Sequence, residues 1–417
     1  MQILVLDTIH GGKTIGAAFA ARGDAVDLVD VYRGTGGTIS VHDAQEKSYD
    51  LIVSPVHLDP EYPLLMFFSR QGTKIVTHHE AVRMLLDECP SLPGPMIEIT
   101  GARGKTTTAH ALASVMQGPG ILHTSSGTYR YPEQHLLGRP GITPASVLGA
   151  VDLARETGGW LIAEESLGVT GAGTLAIITS GEDYLFASGK KRAVAEKLRS
   201  VANAQQILLA EGVSFPCDHE NAAGNVIHLT DIASCYGARC TIYLTDRDAE
   251  FSNPLLALSA YRSPLMLAGV AAAMLGCDPS GLASFNALPG RMSAETVGNV
   301  LVIDNANSGT NAATTIEAAA YARKVSGMDE LTLVIGQAEG DGAVCEGFTA
   351  DQIRSAIQTI RPAQVVLVGK VIGPVTPDFG QIAVSITPGV ATLEEGYSVA
   401  LDKTRSGSVV LAVKTWR

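Results

Sequence analysis

Basic side chains are scarce in this chain. Its 30 Lys and Arg stand against 42 Asp and Glu, a formal net charge of −12 over 417 residues. That balance leaves no broad basic face, so nucleic acid is not an expected partner. Long apolar runs are missing as well. None reaches the ~18 residues a membrane span needs, so no membrane partner is expected. The six Cys, at 89, 217, 235, 240, 277 and 345, include no Cys-x-x-Cys pair. Neither a zinc site nor a disulfide framework is signalled, and reduced thiols in a cytoplasmic protein are the expectation. The opening "MQILVLD" has no basic n-region and reads as a first strand. Aromatics make up only 5% of the chain, while Gly alone counts 44. Small side chains in that abundance suit tightly packed α/β layers.

The length calls for more than one domain. Residues 1–94 read as short β-branched strands alternating with helices, a small Rossmann-like unit. Its strand candidates are Gln2–Asp7, Ala25–Tyr32, Asp50–Pro55 and Lys74–His79, with a helix over Thr14–Arg22. "CPSLPGP" (Cys89 to Pro95) is dense in Pro and Gly and makes a linker. Residues 95–289 carry "MIEIT", "WLIAEE", "LAIITS" and "QILLAEG" as strands. Residues 290–417 carry "VLVIDNAN", "LTLVIGQAEGD", "QVVLVGK" and "SVVLAVKTWR". Three α/β units in a row are expected.

Two Gly-Lys-Thr tripeptides compete for a phosphate. A phosphate loop needs a strand, a glycine turn and a helix, so that backbone N–H groups and the helix dipole converge on the anion. "IEITGARGKTTTAHALASVM" meets those demands. Gly101 and Gly104 free the backbone, Lys105 supplies a point charge and Thr106 a magnesium ligand. The earlier "HGGKTIG" also follows a strand, but no downstream carboxylate strand partners it. A substrate contact and a plain structural turn both remain open there.

Four His follow strands in the first unit: His10, His57, and the pair His78 and His79. In an open parallel sheet the carboxyl ends of the strands share one edge, where ligands bind. His10, His57 and one of the pair should therefore converge, offering donors to carboxylates or nitrogens to a metal.

The compact "ITGARGKTTT" resembles the Mur ligase family, whose members join a carboxylate to an amine through an ATP-derived acyl phosphate. The likeness covers most of the chain from Met96 onward. It implies a three-domain α/β architecture: a Rossmann-like substrate domain, a central P-loop ATPase domain and a Rossmann-like C-terminal domain that closes over the nucleotide. "WLIAEESLG" resembles the strand that ends in a magnesium-binding Glu, with Glu164 the match and Glu165 the reserve. "GITPAS" (Gly141 to Ser146) resembles a Thr-Pro loop of the family. Lys197, in "RAVAEKLRSVANA", stands where several members carry a carbamylated lysine that binds a second magnesium. The family's His one loop earlier is missing, and Asp183 lies near its place. "LPGRM" and "DNANSG" resemble the hinge and the first C-terminal strand. Arg291 is thereby implied at the nucleotide, Asp304 at the ribose, Asn305 and Asn307 across the domain interface, and Lys414 toward the cleft. The implied nucleotide contacts are Gly101, Arg103, Gly104, Lys105, Thr106, Thr107, Arg291, Asp304 and Asn307. Lys105, Lys197 and Arg291 are the implied catalytic residues. The implied cofactors are ATP and Mg2+, with metal ligands Thr106, Glu164, Asp183 and Lys197. The adenine-contacting Asn expected after "YRSPLML" is replaced by apolar residues.

The His-rich beginning, with "AEESLG" and "DNANSGTN", is similar to a branch of this family in methanogenic archaea. That branch closes a carbocycle from a propionate of a nickel-tetrapyrrole precursor. The resemblance implies an anionic tetrapyrrole substrate held by His10, His57, His78 and His79, nickel only as part of that substrate, and a monomer or homodimer. Arg103, Arg130, Arg139 and the "GKKR" run at 189–192 are the cationic donors expected for its carboxylates. The alternative is an amide ligase acting on a peptidoglycan-like or other polyacidic substrate.

Overall fold

The computed structural model describes residues 1–215, 225–245, 248–307, 309–338, 348–369 and 385–415. Cys217, Cys345, Ser308 and the ends of three expected strands, at 339–341, 370 and 416–417, lie outside the described residues. The described chain forms two compact units, Met1–Phe285 and Asn286–Arg417. The second begins at 286, against the expected 290.

The first unit holds two large sheets. Strands β1 (Gln2–Val5), β2 (Ala25–Leu28), β3 (Leu51–Ser54) and β4 (Lys74–Thr77) alternate with helices α1 (Gly12–Ala21), α2 (Val41–Gln45), α3 (Pro63–Arg70) and α4 (His78–Asp87). All pairings are parallel, in the order β2-β1-β3-β4. The chain order therefore reverses between β1 and β3, which opens a crevice at their carboxyl ends. All four strands end earlier than expected, and β2 and β4 show the cause. β2 ends at Leu28, after which the backbone N–H groups of Tyr32, Arg33 and Gly36 turn in to the Asp30 carboxylate. β4 ends at Thr77, whose hydroxyl and Glu80 form a capping box, so His78 and His79 open α4 instead.

The next sheet contains β5 (Met96–Thr100), β6 (Gly120–Thr124), β7 (Gly127–Tyr131), β8 (His135–Gly138), β9 (Trp160–Glu164), β10 (Leu175–Ile178), β13 (Gln206–Leu209) and β14 (Val226–His228). A hairpin of β11 (Leu185–Phe186) and β12 (Lys191–Arg192) stands apart. Helices α5 (Lys105–Ala113), α6 (Ser146–Thr157) and α7 (Ala193–Val201) connect these strands. The sheet order β14-β13-β10-β5-β9-β6-β7-β8 puts β5 between β10 and β9. Every residue of β5 is buried, as a central parallel strand requires. One buried cluster runs from Ile3, Phe19 and Val53 through Val82 and Met96 to Val147 and Leu161. It joins the two sheets into one unit. Further on, helix α8 (Leu229–Ile232), a three-stranded antiparallel sheet of β15 (Ala233–Tyr236), β16 (Arg239–Tyr243) and β17 (Asp248–Ser252), and helix α9 (Ser259–Met274) complete it. α9 packs along α5.

The second unit is one mixed sheet, β18-β19-β23-β20-β21-β22. Its strands are β18 (Ser293–Val297), β19 (Val300–Asp304), β20 (Leu331–Gln337), β21 (Gln364–Val368), β22 (Ser385–Val390) and β23 (Gly407–Lys414). Only β18 runs antiparallel to its neighbour. Helices α10 (Ala312–Ser326), α11 (Ala350–Ile360) and α12 (Leu393–Lys403) cover it. Val302, Val334, Val366 and Val409 form the centre of its core.

Candidate active site

The phosphate-loop geometry begins where β5 ends. Gly101 has φ 152, and a Cβ there would lie 2.1 Å from Thr179 Oγ1. Gly104 has φ 83 and stands at the N-terminus of α5. Both positions exclude larger side chains, the first by space and both by backbone conformation. The N–H groups of Ala102 and Arg103 converge on Ser180 Oγ, at 3.0 and 3.1 Å. Two backbone donors aimed at one point beside a helix N-terminus suit an anionic oxygen. Pro264 of α9 backs the loop, 3.0 Å from where a Gly104 Cβ would stand. Thr107 is buried on α5. The apolar stretch after "YRSPLML" is interior helix, with Ala268, Val270 and Ala271 fully buried.

Glu164, at the end of β9, gathers the residues around this loop. Its Oε2 accepts from Thr106 Oγ1 at 2.7 Å and from the Ser125 N–H at 3.1 Å. Lys105 Nζ lies 3.8 Å from Oε1 and donates to Gly101 O at 3.1 Å. A carboxylate and two hydroxyls beside a phosphate loop are hard oxygen donors of the kind Mg2+ takes. Glu165, the reserve, does not share the site. Side chains alternate along an extended segment, and Glu165 turns inward toward Glu98. Both are fully buried. Glu98 receives the N–H groups of Thr170, Gly171 and Gly173. Glu165 has neither oxygen hydrogen-bonded, and burial, then the Glu98 charge, push its pKa well up.

Lys197 is 1% exposed, and its Nζ has no hydrogen-bond partner. Burial, then the Lys105 charge, lower its pKa to about 8, against the pull of Asp183 and Glu182. A cation placed this way is costly, and a neutral or modified amine fits better. Asp183 is otherwise engaged: its oxygens take Arg192 Nε at 2.6 Å and the Val194 N–H at 3.0 Å. Arg103 pairs with Glu182. The basic side chains of the "GKKR" run are likewise engaged within the chain. Lys190 bonds Asp59 and Glu61, Lys191 bonds Val56 O, and Arg192 bonds Asp183. The Lys190 and Lys191 contacts fasten the β11–β12 hairpin to the loop after β3.

In the second unit, Asp304 and Asn307 hold the Leu288–Arg291 turn. The Gly290 N–H donates to Asp304 Oδ2 at 3.1 Å, and Asn307 Nδ2 donates to Gly290 O at 2.6 Å. Arg291 sits on that turn, its N–H bonded to Leu288 O. Asn305 is turned into its own unit. It is 4% exposed and its Nδ2 donates to Thr314 O. Lys414 Nζ stands 5.6 Å from the centre of the Phe348 ring.

The His residues occupy the crevice edge of the first sheet. His10 follows β1 and His57 follows β3, the two strands at the reversal point. Their rings meet edge to face at 4.5 Å, and Tyr32 packs on both. His78 is buried, with Nε2 unpartnered. Burial first, and neighbouring His charges, lower its pKa to about 3, and Asp7 opposes. His79 points elsewhere: its Nε2 bonds Ser166 O at 3.0 Å. The "HGGKTIG" turn is filled from within. The N–H groups of Ile9, His10 and Gly12 all donate to Asp7, so those donors serve an internal carboxylate. Gly11 presses this turn onto the Thr-Pro loop, since a Cβ there would stand 2.6 Å from Ala145 Cβ. That loop in turn holds Ser166, whose N–H donates to Ile142 O. The His edge and the Glu164 strand are thus linked within one unit.

Sequence reading missed Ser125, Ser180, Asp7 and Tyr32. The polar "HTSS" at a strand end was the available sign for Ser125; Asp7 ends its strand three residues before His10. Among the described residues, no three or more His, Cys, Asp or Glu side chains gather as a metal site. No described helix is long and apolar enough to cross a membrane.

Residues 294–415 match the family model for the coenzyme F430 synthetase CfbE C-terminal domain. Coenzyme F(430) synthetase of Methanosarcina acetivorans is 30% identical, over 94% of this chain and 95% of that protein. The pseudomurein peptide ligase type C of Methanothermus fervidus superposes with a TM-score of 0.53 at 14% identity, covering 99% of this chain and 97% of its own. MurF of Acinetobacter baumannii does so with a TM-score of 0.55 at 14% identity, over 83% and 79%. The chain belongs to the coenzyme F(430) synthetase family, ATP-dependent ligases with the Mur ligase fold.

Proposed function

We propose that this protein uses ATP to activate a propionate of a nickel-tetrapyrrole precursor as an acyl phosphate, which a carbon of the same molecule then captures to close a six-membered ring. The supporting observation is 30% identity along 94% of the chain with a coenzyme F(430) synthetase. The His10–His57–Tyr32 edge, tied to the Glu164 strand, adds to it. Nickel belongs to the substrate in this reading.

Phosphoryl transfer is mainly positioning and charge neutralisation. Lys105 and the Gly104 region bind the transferring phosphates. Thr106 and Glu164 would hold Mg2+, which would neutralise charge on the phosphates. Lys197, as a carbamate, supplies further oxygens there, with Asp183 nearby. Arg291 contacts the nucleotide, and Asp304 and Asn307 hold the Arg291 turn while Asp304 addresses the ribose. His10 and His57 line the tetrapyrrole site, with His78 and His79 behind them. In this division, 1–94 is the substrate domain, 95–289 the ATP domain and 290–417 the domain closing over the nucleotide.

The test is a titration with the nickel-tetrapyrrole precursor, followed by its visible absorption. Saturable binding, and ATP-dependent ring closure without any amino acid, support the cyclase. Absence of binding at high micromolar concentration, with tight binding of a uridine-diphosphate ligand, rejects it in favour of an amide ligase.

A further inference from the structure

The reading above leaves the carbon acid without a base. One His–carboxylate pair in the molecule is free of the phosphate-transfer residues and placed at the ligand edge. Asp7, two residues beyond the end of β1, is fully buried. Three backbone N–H groups fix its carboxylate. Its Oδ1 lies 3.3 Å from His10 Nδ1. An ionised carboxylate only accepts, so Nδ1 carries the hydrogen and Nε2 keeps its lone pair. The His10 side chain is 41% exposed. The other candidates are closed off. The Nε2 atoms of His57 and His78 are buried, and His79 Nε2 is held by Ser166 O. Tyr32 and His57, stacked on each other, both meet the His10 ring edge to face and hold its orientation. The His10–Gly11 turn rests on Thr143 and Ala145, in the loop bonded to Ser166, two residues beyond Glu164. The pair therefore lies on the side of the first sheet that adjoins the phosphate site.

We propose that His10 Nε2 is the general base of ring closure and that Asp7 is its positioning residue. This rests on the cyclase reading. Nε2 takes the proton from the attacking carbon. The electron pair of that C–H bond forms the new C–C bond to the acyl carbon. The acyl C–O bond to phosphate breaks, and phosphate departs with its electron pair. The products are the cyclic ketone, inorganic phosphate and a proton on His10. No oxidant or reductant is needed. A positioned base contributes about 10²–10⁴-fold to such a step.

The test separates the two half-reactions in the full chain. Ring closure is read by the visible absorption of the tetrapyrrole, and acyl phosphate by trapping with hydroxylamine as the hydroxamate. His10→Gln is expected to slow ring closure at least about 100-fold while the acyl phosphate accumulates. His10→Gly is expected to regain ring closure when imidazole is added, which a packing role would not allow. ATP binding by each variant checks that it is folded. Ring closure by His10→Gln at the wild-type rate overturns the assignment. So does equal loss of hydroxamate and ring closure without imidazole rescue, which marks His10 as a binding residue only. If the wild-type protein closes no ring, the cyclase reading itself falls and the base assignment with it.

Discussion

The Lys197 ammonium lies 5.1 Å from the centre of the Tyr184 ring, buried and without a hydrogen-bond partner. An aromatic face gives a cation partial compensation only. Lys105 adds repulsion, and the pKa falls to about 8 chiefly through burial. Carbon dioxide reacts with the neutral amine, and such a lysine is neutral far more often near pH 7 than an exposed one.

The first prediction follows from that state. Lys197 carries a carbamate in the active protein, and Lys197→Ala loses activity by about 100-fold or more, a loss of the size seen when one stabilising group is removed. Short carboxylates added to the variant restore part of it. Intact mass under carbon dioxide and turnover with acetate or formate are the measurements. An unmodified Lys197 together with a fully active Lys197→Ala variant would contradict the prediction.

The second concerns the loop itself. Lys105→Ala removes ATP-dependent turnover, by about 10³-fold or more, while the protein stays folded. The fold should survive because Lys105 lies at the first position of α5 and bonds Gly101 O and Glu164 outside the hydrophobic core. Thermal unfolding and ATP turnover, measured side by side, check it. Turnover near wild type from a folded variant places phosphate transfer elsewhere.

Local signals made part of this site legible. Gly101, Gly104 and Lys105 announce themselves because a strand, a glycine turn and a helix start must be adjacent in sequence. The meeting of His10 with His57 followed from the rule that parallel strands share a carboxyl edge. What stayed hidden depends on contacts between distant segments. Ser180 reaches the phosphate loop from the end of β10, and Lys190 is spent on Asp59 across 131 positions. Glu164 and Glu165 are neighbours in sequence, and only the direction of each side chain separates a site carboxylate from an interior one. The Asp7 carboxylate looked like an ordinary strand end until its three backbone donors were seen.

A third prediction concerns acid. Burial, the first cause in each case, lowers the pKa of His57, His79 and His123 to about 4 and that of His78 to about 3. In the unfolded chain these rings titrate near the ordinary His value of 6.5. Below that pH the unfolded state binds more protons than the native state, so stability falls as pH drops from 6.5 toward 4. His123 has both ring nitrogens bonded, to Thr128 and Ser146. His123→Gln therefore costs stability at pH 7, about 1–3 kcal/mol, and less at pH 5. Urea midpoints across that range check both signs. A loss that grows as pH falls would show that His123 is charged in the folded protein.

The last prediction lies at the other end of the pH scale. Glu165 is fully buried with neither oxygen hydrogen-bonded, next to a Glu98 carboxylate already served by three backbone N–H groups. Burial and that neighbouring charge hold its pKa well above the ordinary carboxyl value of 4.5. The native state keeps the proton that the unfolded state releases near 4.5, so the native state binds more protons above that pH. The stability this group contributes is present below 4.5 and is lost as pH rises toward its native pKa. Glu165→Gln keeps the shape of the neutral acid and still offers a donor toward Glu98, but it has no proton to release. The variant should match the wild type near pH 4.5 and become the more stable of the two at pH 8, with a flatter dependence between. Phosphate-loop geometry should not change, because Glu164 alone meets Thr106 and Ser125. Denaturant unfolding of both proteins from pH 4.5 to 8 is the measurement. A Glu165→Gln variant less stable than the wild type at pH 8 would mean that the carboxylate is ionised and paired in the native state.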